Sequence, residues 1–381
     1  MHEAEHELRM RARLHELIAA ESGFLSFARY MQEALYAPGL GYYSAGATKL
    51  GASGDFTTAP EISPLFGACI ARQCEPVLRA LRGGEMLELG AGTGRLAFDV
   101  LSELARRDCV PARYAILEVS AELRARQQQL LATLPPPLAS CVGFLDTPPE
   151  APWRGVLLAN EVLDALPVEA FALRVPGIQQ RGVGVGVNGE LQWRERPAPA
   201  VLAAEVARVL APLPEPLGPG YESELCAMLG PWLAEVTASL TAGVALFIDY
   251  GLPRSDYFHL TRSEGTLRCH YRHRAHADPF LHPGLQDLTA WVDFTRVAEA
   301  ADDCGLDVLG FTTQAAFLLG TGIDAGIDAA PDALTRARYV TQARQLLLPE
   351  AMGESFKVIA LGRRYDGALA GFAHQDLLNR L

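Results

Sequence analysis

The chain alternates short apolar runs with helix-like polar stretches. EMLELGAG (85–92), RYAILEVS (113–120), CVGFLD (141–146), GVLLANEV (155–162) and VALFIDYG (244–251) are apolar along their length rather than at every second position. That is how strands buried on both faces of a parallel sheet read. Helical patterns follow the first run to about Arg107 and the second through AELRARQQQLLATL. Strands that alternate with helices predict an α/β, doubly wound, Rossmann-like sheet.

The flanking regions carry other periods. Leu14, Leu17 and Ile18, then Phe24, Phe27, Met31 and Leu35, recur at helical spacing, with Ser22 and Ser26 as candidate helix starts. Pro38 and Gly39–Gly41 end that pattern, and a glycine-rich polar loop occupies 46–64. Asn188-Gly189 between β-rich runs predicts an inserted β-ribbon within 168–196. Prolines 197, 199, 212, 214, 216 and 219 surround a short helical stretch. A polar segment rich in His and Arg spans 252–287, and 288–304 reads as helix. LDVLGFTTQ (306–314) and ESFKVIALGRR (354–364) read as late strands. The expected organisation is an N-terminal helical region with a cofactor-lid loop (1–82), a core (83–364) with insertions at about 168–240 and 252–287, and a tail (365–381).

Composition narrows the function classes. The 381 residues are 49% hydrophobic and 20% charged, which excludes wholesale disorder. A net charge of −12 speaks against electrostatic binding of nucleic acid. No apolar run has the length of a membrane span, so no membrane insertion is expected. The first twenty residues mix both charges and do not read as a leader. Seven scattered cysteines without a CxxC pair suit a reducing compartment, and a cytoplasmic location is expected.

The most informative segment is Leu87-Glu88-Leu89-Gly90-Ala91-Gly92-Thr93-Gly94. A strand enters Gly-x-Gly-x-Gly and a helix leaves it, a turn that lets a ligand approach the backbone at a helix N-terminus. A dinucleotide fingerprint places its third glycine one residue later. The form here resembles the glycine-rich motif of class I S-adenosylmethionine methyltransferases. Glu118, ending the second strand, suits a ribose diol of either cofactor. The second constellation, Ala159-Asn160-Glu161-Val162-Leu163-Asp164-Ala165-Leu166-Pro167, closes the fourth strand. Glu161 and Asp164 fall on one face if the segment turns helically, where they suit a cationic guanidinium and its proton. The bland alternative is a helix N-terminus that favours acids.

GDFTTAPEISPLFG (54–67), LELGAGTGRLA (87–97), ANEVLDALPVEAF (159–171), LFIDYG (246–251), GTLRCHYRHRAHADPF (265–280), GLQDLTAWVDFT (284–295) and MGESFKVIALG (352–362), in this order, resemble the MidA-like family. That family includes the mitochondrial protein-arginine methyltransferase that assists respiratory complex I assembly. The resemblance covers roughly residues 20–364. It implies a class I methyltransferase using S-adenosylmethionine, with S-adenosylhomocysteine as product. The implied acceptor is an arginine of a protein substrate, such as a respiratory complex I subunit. The implied cofactor set is Phe56, Thr57, Thr58, Glu88, Gly90, Ala91, Gly92, Thr93, Gly94, Glu118, Val119, Asp146 and Asn160. Glu161, Asp164 and, secondarily, Glu61 form the implied catalytic, acceptor-facing set, and no metal is implied. Ala91 stands where some members carry proline, and His270 where an aromatic residue is expected.

Other features are weaker. Pro60 suits the first turn of a helix, so the 54–61 loop is either a lid or an ordered helix entry. Cys269, His270, His273 and His276 have metal-ligand chemistry, but Arg272 and Arg274 interleave and oppose a cation. Asp249 ends the fifth strand at the ligand edge and would close the acceptor pocket. Asp287 would cap the helix after it. Rival readings are a non-catalytic cofactor-binding scaffold, a methyltransferase of small molecules and, disfavoured by the early third glycine, a nicotinamide oxidoreductase. A homo-oligomer is compatible with all of them.

Overall fold

A computed structural model describes residues 3–44, 58–272 and 274–381. Seven strands make the continuous path of its eight-stranded main sheet: β1 (Glu85–Leu89), β2 (Tyr114–Leu117), β3 (Val142–Leu145), β4 (Trp153–Asn160), β5 (Leu240–Leu252), β6 (Asp307–Thr313) and β7 (Phe356–Arg363). Their spatial order is β3-β2-β1-β4-β5-β7-β6. The first five in this order run parallel, and β7 lies antiparallel between β5 and β6. The apolar runs are strands because both faces are covered. Helices Pro64–Ala80 and Arg95–Arg106 pack on one face, and Leu229–Thr237 and Phe294–Asp303 on the other.

The chain leaves β1 toward β2 and β3, and leaves β4 toward β5. The strand order therefore reverses between β1 and β4, where open α/β sheets bind ligands at the strands' carboxyl ends. Register aligns those ends: Leu89 lies beside Leu117 and Ala159, and Ala159 beside Phe247. Gly90, Glu118, Asn160 and Asp249 consequently gather on one edge from four strands.

A second layer sits over that edge. Helices Glu3–Ala20 and Phe27–Tyr36 pack on an antiparallel sheet made of Leu25–Ser26, Ile178–Val185, Glu169–Leu173 and Glu222–Leu225, with Leu191–Pro197 pairing Ile178–Val185. The expected ribbon is thus present, and Gly189 takes a positive φ of 83° in its turn. Ser26 caps Phe27–Tyr36 through the Arg29 amide, whereas Ser22 is a turn residue with φ 59°. Residues 365–381 lie against the core: Phe372 packs edge-on to Phe317, and the Gly371 amide donates to Gln73.

Two expectations are corrected. The helix anticipated over 288–304 begins only at Phe294. Asp287–Thr289 pairs with Arg268–His270, and Val292–Asp293 with Gly251–Leu252, so cross-strand partners draw this stretch out of helix. The cap of this helix is accordingly Asp293, whose side chain accepts from the Arg296 amide, rather than Asp287. Asp287 accepts instead from the Tyr43 hydroxyl at 2.9 Å.

Candidate active site

The gathered strand ends open into a cleft of about 720 Å³. The turn after β1 forms its floor. Gly90, Gly92 and Gly94 all have positive φ, at 60°, 54° and 86°, a region costly to residues with a Cβ. The Gly90 amide bonds to Leu117 O at 3.0 Å, which ties the turn to β2. Gly90, Ala91, Gly92 and Thr93 line the cleft. Gly94 faces Gln127 instead: an added Cβ there would lie 3.2 Å from Gln127 Cα. It acts by starting helix Arg95–Arg106 rather than by touching the cleft.

Glu118 is buried at the end of β2 and also lines the cleft. Its Oε1 accepts from the Ser120 amide at 2.8 Å and its Oε2 from Gln127 Nε2 at 2.9 Å. Burial raises its pKa, and these bonds oppose the rise. Gln127 also donates to Gly92 O at 2.9 Å, so one amide orients both the glycine turn and the carboxylate. Sequence reasoning missed Gln127; its one signal is a polar residue on the inward face of helix Ala121–Leu131. Val119 projects at the cleft rim. Asp146 does not join the site. Its side chain is 86% exposed and pairs with Arg124, which also bonds the ends of β2 and β3. Glu88 lines the cleft from within β1, takes the Tyr114 hydroxyl at 2.6 Å, and is pushed by burial to a pKa of about 7.

The turn after β4 forms the adjoining wall. Asn160, Glu161 and Asp164 line it, as expected. Glu161 adopts φ 54°, rare for a residue with a long side chain, and its amide bonds to Ile248 O at 2.9 Å. Asp249 holds this turn. Its Oδ2 accepts from the amides of Val162, Leu163 and Asp164 at 3.1, 2.9 and 3.2 Å. It lies fully buried behind the turn and positions the acids rather than closing the pocket.

Burial raises the pKa of Glu161 to about 8, helped by the neighbouring Asp164 charge. The Asn160 side chain and the Ala59 amide donate to Glu161 and act against this rise. Asp164 rises to about 6 by burial, against the Tyr250 hydroxyl. Asp249 is pushed well up, first by burial and then by Asp164 and Glu161. Two acceptor atoms in this wall, Asp164 Oδ1 and Asn160 Oδ1, are buried with no donor. The Asn160 amide is oriented by its bond to Glu161 Oε1 at 3.1 Å, so its oxygen is the end left without a donor.

The N-terminal segment completes the cleft. Thr58, Pro60 and Glu61 line it, and the Thr93 hydroxyl bonds to Glu61, joining this segment to the glycine turn. Thr58 and Pro60 also open the short helix Ala59–Ile62. Phe56 and Thr57 lie outside the described residues. Tyr36 and Tyr43 contribute an aromatic wall, and Met228, Trp232 and Val236 an apolar one; none of these five was anticipated. Among the described residues, no group of three or more His, Cys, Asp or Glu could hold a metal. Cys269 is a buried core residue in the strand Arg268–Tyr271, and His273 lies outside the described residues.

This cleft fits S-adenosylmethionine. Glu118 lines the cleft with acceptor capacity left for a ribose diol. The glycine backbone allows close approach. The acids suit a sulfonium, and the one cation among the described residues lining the cleft, Arg95, is paired with Asp99 at 2.9 Å. The comparisons with known proteins agree. A family model described as a putative S-adenosyl-L-methionine-dependent methyltransferase matches residues 69–312. The mitochondrial protein arginine methyltransferase NDUFAF7 of Danio rerio is 31% identical over 89% of this chain and 84% of its own. The Drosophila melanogaster homologue is 30% identical over 93% and 84%. Their mitochondrial names lend no support to the expected cytoplasmic location. A Burkholderia thailandensis crystal structure, described as a likely methyl transferase bound to S-adenosyl-homocysteine, is 42% identical, with a TM-score of 0.94 over 100% of this chain and 98% of that one. The chain thus belongs to this family of S-adenosylmethionine-dependent methyltransferases, and S-adenosylmethionine is its cofactor.

Proposed function

We propose that the protein methylates a guanidino nitrogen of an arginine in a protein substrate. One observation carries this reading: Glu161, Asp164 and Asn160 line the cleft after β4, and behind that lining Asp164 Oδ1 and Asn160 Oδ1 are buried without a donor. Such a wall calls for a cation with several N–H groups, and arginine has five in a flat fork. The naming of the curated relatives as protein arginine methyltransferases supports the same acceptor.

When bound, S-adenosylmethionine supplies an electrophilic methyl on a sulfonium. The chain does the rest. Glu161 and Asp164 bind the guanidinium and orient one nitrogen toward the glycine turn. As that nitrogen spends its lone pair on the new bond, its charge grows and its proton becomes acidic. The Glu161 carboxylate, on the turn beside the cofactor turn, takes that proton. Most of the rate comes from orientation, since the leaving group is already activated.

The test supplies methyl-labelled cofactor and arginine-containing proteins, beginning with respiratory complex I subunits, and analyses acid hydrolysates. Label in methylarginine, lost in Glu161→Gln, is expected. Label in another residue or in a small molecule replaces the acceptor class. Cofactor binding without any transfer would favour the scaffold reading.

A further inference from the structure

We propose that Tyr36 and Tyr43 form the acceptor-recognition wall and make the cleft select a flat cation, a guanidinium, over a tetrahedral ammonium. This rests on the arginine reading and assigns its selectivity to the N-terminal region rather than to the sheet. Tyr36 ends helix Phe27–Tyr36, and the chain then doubles back. The Tyr42 and Tyr43 amides bond to Ala34 O and Leu35 O at 2.8 and 2.9 Å. Gly41 is needed in that return, because a Cβ would lie 2.5 Å from the Tyr36 and Ala37 nitrogens. The two rings therefore stack in a fixed pair, 5.6 Å apart and 26° from parallel.

Both hydroxyls are engaged outside the pair. Tyr36 donates to Ala165 O at 3.0 Å, directly after Asp164, and Tyr43 to Asp287 Oδ1 at 2.9 Å. With their hydroxyls engaged, the two half-buried residues contribute ring carbon rather than a free hydroxyl to the cleft lining. A guanidinium has two kinds of surface that match this corner. Its face stacks on an aromatic ring, and its edge donates to carboxylates. An ammonium has no such face and satisfies one wall at the expense of the other. The Ala165 bond ties the aromatic wall to the acidic turn, so one geometry serves both.

The experiment is calorimetry on protein loaded with S-adenosylhomocysteine, using ethylguanidinium and ethylammonium as probes. Ethylguanidinium is expected to bind about tenfold tighter, because its flat face can stack on a ring while its edge donates to the acids, whereas an ammonium brought to the ring face gives up donors to the acids. Tyr43→Leu and Tyr36→Leu should each lose most of that preference, with homocysteine-analogue affinity held within about twofold. Tyr43→Phe, which keeps the ring and drops the hydroxyl, should retain it. Equal binding of the two probes, or a preference that survives both leucine variants, overturns the inference. A leucine variant with lowered Tm is read against the other and against Tyr43→Phe. Labelling assays on the wild type separate the two readings. Methylarginine formed without a probe preference sinks only the aromatic wall; preferred ethylammonium with label in lysine sinks the arginine reading as well.

Discussion

The turns after β1 and β4 sit side by side, and both bend through left-handed backbone. Gly90 has φ 60° and Glu161 φ 54°. Each ties its first amide to the next strand outward, Gly90 to Leu117 and Glu161 to Ile248. They meet directly, since a Cβ on Gly90 would lie 3.3 Å from Val162 Cγ2. The first turn reaches its shape through glycine, which adopts it without a steric penalty. The second must present a carboxylate, so it cannot use glycine at that position. It adopts the strained conformation with a glutamate, at a cost of about 1–3 kcal/mol, and a buried aspartate from β5 holds it. The backbone shape of the glycine turn is therefore specified locally, and that of the acidic turn by a contact 85 to 87 residues away in sequence.

The sharpest break is chemical. Glu161→Gln should lower kcat about 10²- to 10⁴-fold, the usual worth of a positioned proton acceptor, while S-adenosylhomocysteine affinity stays within a few-fold by calorimetry. Equal losses in turnover and cofactor affinity would erase the division between the two turns. Gly92→Val is the counterpart: cofactor affinity should fall about 100-fold or more, because its φ of 54° is strained for any β-branched residue.

Stability tests come next. Asp249→Ala orphans three amides and should cost roughly 3–5 kcal/mol by denaturant unfolding. Asp249→Asn keeps an oxygen acceptor and should cost less than half of that. Glu161→Gly should stabilise the protein by about 1 kcal/mol, because it relieves the strain and removes a buried acid, while abolishing transfer. A destabilised glycine variant would show that the turn is not strained as described.

The smallest effect is on pH dependence. Glu161 has its pKa raised from 4.5 to about 8, and Asp164 from 3.8 to about 6. The folded state then holds more protons than the unfolded chain across that interval, so stability falls as pH rises from about 4 to about 8. Cofactor-free protein should melt several degrees lower at pH 8 than at pH 5.5, and Glu161→Gln should flatten the upper part of that slope. The same ionisation should make kcat/KM rise with pH toward an inflection near 8, absent from the glutamine variant.

Much of this was legible in the residues. The strands of the sheet announce themselves as apolar runs because both faces are covered, and Gly90, Gly92, Glu118, Asn160, Glu161 and Asp164 all reach the cleft. Gly94, in the glycine motif, and Asp146, at the end of the third apolar run, instead face Gln127 and Arg124. The resemblance put both in the cofactor set, but what each position faces depends on helix Ala121–Leu131, which carries Gln127 and Arg124. The helix misjudged at 288 and the cap misassigned to Asp287 failed for one reason: strands at Asp287–Thr289 and Val292–Asp293 exist only through partners far along the chain.

The sequence by itself determined the strand–helix alternation, the glycine turn and the presence of acids after β4, because these follow from local periodicity and local backbone freedom. Tertiary structure alone decided that Asp249 caps the acidic turn, that Gln127 joins the glycine loop to Glu118, and that Tyr36 and Tyr43 reach the cleft. These are contacts between residues whose order along the chain carries no trace of their distance in space. They form because burying the two faces of the sheet brings the strand ends into register, and the polar groups carried there must find partners among whatever arrives with them.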